Sequence, residues 1–146
     1  METPRFAYPT DLLERVQQAI NAHDLEALAA CFHVDYESTF PAHPERAFKG
    51  QAQMRQNWEQ IFAAVPDITS SLLQSATVGK TVWAEWEWRG TRRDGASFVM
   101  RGVTIQEVQD GEITSVRMYM EPVQAGGPEG DAALRQALGD TVGGYQ

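Results

Sequence analysis

Cysteine is nearly absent. Cys31 is the only one in 146 residues, so no internal disulfide can form and nothing calls for an oxidising compartment. Basic residues are scarce: 12 Lys plus Arg stand against 20 Asp plus Glu, a net charge of −8. Such a surface repels polyphosphate, which argues against nucleic acid as a partner and against binding to an anionic membrane. No apolar run approaches the roughly 20 residues of a membrane span. The opening METPRFAYPT lacks the basic-then-apolar pattern of a secretion signal, so the cytoplasm is the expected address. There is no GxxxxGK[ST] loop to cradle phosphate and no Gly-x-Ser-x-Gly elbow for a serine nucleophile. His33 and Asp35 offer two ligand types at a strand start, one short of the three protein ligands of a catalytic metal, so neither metal nor other cofactor is expected. What the chain does have is a 42% apolar and 10% aromatic composition, enough for one globular core.

The helices come first. Asp11 with Glu14 fits a capping box, and Leu12, Leu13, Val16, Ala19 and Ile20 recur at helical spacing behind it. After Asn21-Ala22-His23, Asp24 can cap a second helix carrying Leu25, Leu28, Ala29 and Phe32. Val34 to Phe40 reads as a strand ended by Pro41, and PAHPERAFKG as an irregular loop. Met54, Trp58, Ile61, Phe62 and Val65 form one stripe of a third helix over about Gln51 to Ala64, stopped by Pro66. Strands follow at Ile68–Val78, Thr81–Arg89, Phe98–Val108 and Ile113–Met120, with Asp94-Gly95 and Asp110-Gly111 as hairpin turns. This order predicts an α+β domain over 1–123, a curved antiparallel sheet wrapped around the three helices. Residues 124–146 form a glycine-rich tail with a short helix over about 131–138.

The phrase NAHDLEAL, a proline-ended strand, a glycine-led helix and closing strands that finish DGEITSVRMYMEP together resemble the SnoaL-like proteins of the nuclear transport factor 2-like superfamily. The resemblance spans about residues 10–123. It implies a cone-shaped fold enclosing a mostly apolar pocket, a small hydrophobic molecule as partner, and frequent dimers. Relatives include polyketide cyclases, ketosteroid isomerases and limonene-epoxide hydrolases, and also proteins with no chemistry, so the fold leaves function open. Carried over by eye, their catalytic positions fall on unsuitable residues. The isomerase base falls on Phe40, its oxyanion donors near Val16 and Thr104, and the cyclase acid and histidine near Met118 and Val116. The epoxide-hydrolase set falls near Glu85, Glu87 and Met118 and lacks its arginine.

Chemistry therefore has to be sought on the strands. Alternation puts Trp83, Glu85, Glu87 and Arg89 on one side of their strand and Val82, Ala84, Trp86 and Trp88 on the other. If the glutamates entered the pocket, repulsion and desolvation would raise at least one pKa and make it an acid or base near neutrality. They would otherwise face water or pair with arginines of the next strands, such as Arg101 or Arg117. His43, between Pro41 and Pro44, rims the expected pocket and could assist proton transfer. Phe40, Trp58, Trp83, Met100, Thr104 and Met118 are the expected pocket wall. With the glutamates inside, Trp86 and Trp88 would stand on the convex face and imply a homodimer through it; the opposite arrangement makes the pocket aromatic. Three classes follow. The first is a cofactor-independent isomerase, cyclase or hydratase/hydrolase using Glu85, Glu87 and His43. The second is a non-catalytic binder of a hydrophobic metabolite. The third is a dimeric interaction module, which a pocket under about 100 Å³ would favour.

Overall fold

A computed structural model describes residues 9–139. Helices α1 (Pro9–Asn21) and α2 (Leu25–Ala29) lead into strand β1 (Phe32–Thr39). A 3-10 turn at Pro44–Arg46 and the two-residue strand β2 (Phe48–Lys49) precede α3 (Gln51–Ala64). Then come β3 (Thr69–Val78), β4 (Thr81–Thr91), β5 (Ser97–Gln109), β6 (Glu112–Pro122) and α4 (Gly130–Ala137). The six strands form one sheet in the order β2-β1-β6-β5-β4-β3, antiparallel except where β1 runs parallel to β6. The expected α+β cone is thus the fold of this chain. The loop read as irregular contains β2, which pairs Lys49 with Glu37 and Phe48 with Ser38. Asp11 lies inside the first turn of α1 rather than ahead of it.

Local chemistry fixes the helices to the sheet. Asp24 caps α2, its carboxylate accepting from Ala27 N at 3.0 Å. The chain turns between α1 and α2 at His23, whose φ is +54°; its Nε2 lies 2.9 Å from Ile68 O and its ring stacks on Phe62. β3 is an edge strand, and α1 covers it with side-chain amides. Asn21 donates to Ser70 O at 3.1 Å and accepts from Ser70 N at 2.6 Å, and Gln17 accepts from Leu72 N at 2.5 Å. These bonds occupy edge groups that would otherwise template aggregation. Arg55 on α3 forks onto Glu26 of α2 at 2.6 and 2.7 Å. Asp110 and Gly111 both have positive φ, +52° and +78°, which tightens the β5–β6 hairpin.

The core lies between the concave sheet face and the helices, where Leu12, Leu13, Ile20, Leu28, Met54, Ile68 and Ile113 are fully buried. Cys31 belongs to this layer. Burial pushes its thiol up to about 11, so it packs and does not react. Among the described residues no helix is long and apolar enough to cross a membrane.

Candidate functional site

The strands of the curved sheet alternate sides, and that alternation decides the site. On β4, Val82, Ala84, Trp86 and Trp88 are buried, while Trp83, Glu85 and Arg89 are exposed. Burying two indoles gains apolar area, whereas burying two carboxylates costs desolvation that nothing inside would repay. The glutamates therefore do not aim inward, correcting one of the two arrangements left open above. Glu87 lies on the outer face between Arg89 Nε and Arg101 Nε, each 2.6 Å from a carboxylate oxygen. The Arg89 hydrogen bond, then that of Arg101, holds its carboxyl below the usual 4.5. This is the reverse of the raised pKa that a general acid in an apolar pocket needs. Trp83 shares that outer face, 46% exposed. The same correction applies to association: Trp86 and Trp88 are 3% and 7% exposed and do not form a convex-face contact. His43 Nε2 sits 2.5 Å from Glu121 Oε1, joining the β1–β2 loop to the end of β6, and does not line the cavity.

A depressed folded-state pKa stabilises above the unfolded value and stops doing so as pH falls through the folded one. The Glu87 contribution is thus present above about pH 4.5 and disappears on further acidification. Glu87→Gln should lower the melting temperature at pH 7 and lose less stability than the wild type between pH 5 and 3. Parallel melting curves for the two proteins over that range would refute this.

Inside the sheet's curve lies a cavity of about 250 Å³. α1 closes it with Leu13, Val16 and Ile20, α2 with Leu28, and the floor is Trp86, Ile113, Val116 and Met120. Phe40, Phe48, Trp58, Ile61, Met100 and Met118 also line it and keep some contact with solvent, which marks its open end. Phe40, Trp58, Met100, Thr104 and Met118, named from the sequence, all lie in this wall; Trp83 does not. The aromatics are packed edge to face: Trp58 and Trp88 lie 5.3 Å apart at 73°.

The polar atoms of the wall are few. Trp86 Nε1 donates to Thr104 Oγ1 at 2.8 Å, and Gln106 Nε2 donates to Val82 O at 3.0 Å. The indole N–H of Trp88 is buried and has no acceptor among the described residues. Tyr36 is buried, and burial holds its hydroxyl protonated, with a pKa pushed well above the ordinary value. Ser38, Arg46 and Asn57 complete the polar lining. Tyr36, Ser38 and Arg46 escaped the sequence analysis. Tyr36 and Ser38 continue the inward alternation that ends at Phe40, a signal interrupted by a bulge between Phe32 and Glu37 that turns Val34 outward, 61% exposed.

Phe40, Val16, Thr104, Met118 and Val116 do line the cavity, but four of the five side chains are apolar and the hydroxyl of Thr104 is taken up by Trp86. Among the described residues none of those in the lining is Asp, Glu, His, Lys or Cys.

A bent sheet closed over an aromatic chamber by three helices is the architecture of the nuclear transport factor 2-like cone. The SnoaL-like domain model matches residues 13–116, and the chain belongs to that family. Among solved structures it is similar to wild-type IdmH, a putative polyketide cyclase from Streptomyces antibioticus. That likeness has a TM-score of 0.68 at 22% identity and covers 77% of this chain and 91% of the other. A putative SnoaL-like polyketide cyclase from Jannaschia sp. CCS1 also gives 0.68, at 16% identity over 83% and 90% of the two chains. An LEH-like epoxide hydrolase from M. tuberculosis gives 0.67, at 16% identity over 77% and 82%. No curated protein sequence matches.

Proposed function

We propose that this protein binds a small hydrophobic molecule in the cavity and transfers no proton to it through a carboxylate or imidazole. One observation carries this: the chamber is lined mostly by apolar and aromatic side chains, with no acid, histidine, lysine or cysteine in the lining among the described residues. Its volume of about 250 Å³ lies just below the ~300–1,000 Å³ typical of ligand sites and well above the size that would favour a pure interaction module. Glu85, Glu87 and His43 have no part in this function, since their side chains lie outside the lining. Binding needs no cofactor, and with one cysteine the protein suits a reducing cytoplasm.

A second function, closer to the cyclase, isomerase and hydrolase names among its structural neighbours, is favoured by Tyr36. A buried hydroxyl that stays protonated can donate a hydrogen bond to a developing oxyanion, a catalytic device that requires no base. Native mass spectrometry on protein purified from its own cells separates the two, because a bound molecule that survives incubation unaltered supports the binder. Met118→Trp, a substitution at the partly exposed mouth, should abolish that bound mass while moving the melting temperature of ligand-free protein by no more than about 2 °C. Retention of the ligand by the plugged variant would sink the cavity as its site.

We also propose that two copies pair through the outer sheet face, on Trp83 and Tyr119, both more than 40% exposed there. Sedimentation should give a dimer at micromolar concentration and a monomer for Trp83→Glu. A monomeric wild type would end the proposal.

A further inference from the structure

The charged side chains of β1, the β1–β2 loop and the facing end of β6 are unevenly engaged. Glu121 is held by His43, and Glu37 lies 3.8 Å from Lys49 across β1 and β2. Arg46, on the 3-10 turn at the mouth, is the only charged residue in the lining and makes no ion pair among the described residues, its neighbour Glu45 included. A guanidinium left open at the entrance of a greasy chamber, in a chain of net charge −8, is a local exception to the acidic surface. Deeper in the wall, the Trp88 N–H lacks an acceptor although Trp88 is more than nine-tenths buried, and the Tyr36 hydroxyl is held in its donor form. The free polar groups are thus weighted towards donors, with one full positive charge among them.

We infer that the ligand of this cavity is a flat, apolar carboxylic acid, bound as its anion with the carboxylate on Arg46 and the ring system among Trp58, Trp88 and Phe40. This rests on the cavity being a binding site and adds the class of molecule. Arg46 suits the task because its planar fork matches a carboxylate with two parallel hydrogen bonds. The same cation counts against the other ligand that an aromatic chamber favours, an amine held by cation–π attraction.

The experiment is calorimetric titration of the wild type, Arg46→Gln, Arg46→Lys and Met118→Trp with three probes of one shape: 2-naphthoate, 2-naphthamide and 2-naphthylmethylamine. For the wild type, naphthoate should bind at least ten-fold tighter than naphthamide, and the amine weakest. Arg46→Gln should bring acid and amide within about two-fold of each other, Arg46→Lys should restore part of the preference, and Met118→Trp should remove binding of all three. Because Arg46 is exposed, its variants should melt with the wild type, which separates lost affinity from lost folding. Equal binding of acid and amide by the wild type, a preference unchanged in Arg46→Gln, or tighter binding of the amine would overturn the acid while leaving a ligand cavity. Binding of none of the three probes by the wild type would overturn the cavity function as well.

Discussion

Gly102→Ala should cost about 3 kcal/mol and lower the melting temperature by on the order of 10 °C, a large loss for one added methyl group. Gly102 sits in the middle of β5, opposite Trp86 on β4 and Met120 on β6. A Cβ there would lie 2.0 Å from Tyr119 O and 2.8 Å from Met120 Cα. Both obstacles are backbone, so no side chain can swing away to make room. The collision arises from the backbone itself: Gly102 has φ +155°, a conformation that aims an L side chain at the neighbouring strand β6 rather than off the face of the sheet. Two other glycines calibrate the effect. At Gly90 a Cβ would meet Val65 Cγ1 at 2.3 Å, Asp67 Oδ1 at 2.9 Å and Ile68 Cα at 3.2 Å; the two tightest are side-chain atoms rather than backbone, so Gly90→Ala should cost less than Gly102→Ala. At Gly79 nothing lies within 4 Å and only the φ of +59° opposes a side chain, so Gly79→Ala should cost about 1 kcal/mol. Chemical denaturation of the three variants should rank them in this order. A Gly102→Ala protein within about 0.5 kcal/mol of wild type would mean that β5 does not hold this backbone conformation against β6.

Much of what shapes the cavity is invisible in a sequence, and the reason is physical. Periodicity reports which residues share a face; it does not report which face is inside. On α3 the distinction is simple because the opposite face is polar: Met54, Trp58 and Ile61 reach the cavity, and Phe62 of the same stripe turns to His23. On β4 both faces carry tryptophan, so alternation divides the strand correctly but leaves two arrangements. The choice depends on which face the helices cover: Trp86 and Trp88 are on that face, and Glu87 on the other pairs with Arg89 and, across the strand, with Arg101. A contact between strands is a tertiary fact that β4 alone does not contain. The turn at Asp110-Gly111 was legible because both residues favour positive φ and no long-range contact is needed. β2 was not, being only two residues long and held by pairing with β1 inside a segment rich in proline and glycine. Arg46 escaped for the same reason: a cation in a loop has no period, and only the folded chain shows that it borders the chamber.

Trp86 is where stability and ligand capacity meet, and Trp86→Ala should cost about 3–5 kcal/mol. The indole is 3% exposed, forms part of the cavity floor and donates to Thr104 Oγ1 at 2.8 Å. Truncation removes its packing and its hydrogen bond together, and two further variants separate these contributions. Thr104→Val keeps the indole but leaves a second buried N–H without an acceptor beside that of Trp88, which should cost about 1–3 kcal/mol. Trp86→Phe with Thr104→Val removes both partners of the bond while retaining most of the ring, and should cost less than the sum of the two single changes. If Thr104→Val alone is neutral, the indole finds another acceptor and the bond does not hold the floor in place. The functional consequence runs opposite to the energetic one. Removing the indole deepens the chamber, so Trp86→Ala should bind an elongated aromatic acid that the wild type refuses, while its preference for acid over amide persists because Arg46 at the mouth is untouched. A truncated variant that gains no affinity for the longer acid would show that the floor collapses into the space, and that the size limit of the ligand is set at the entrance by Trp58 and Met118.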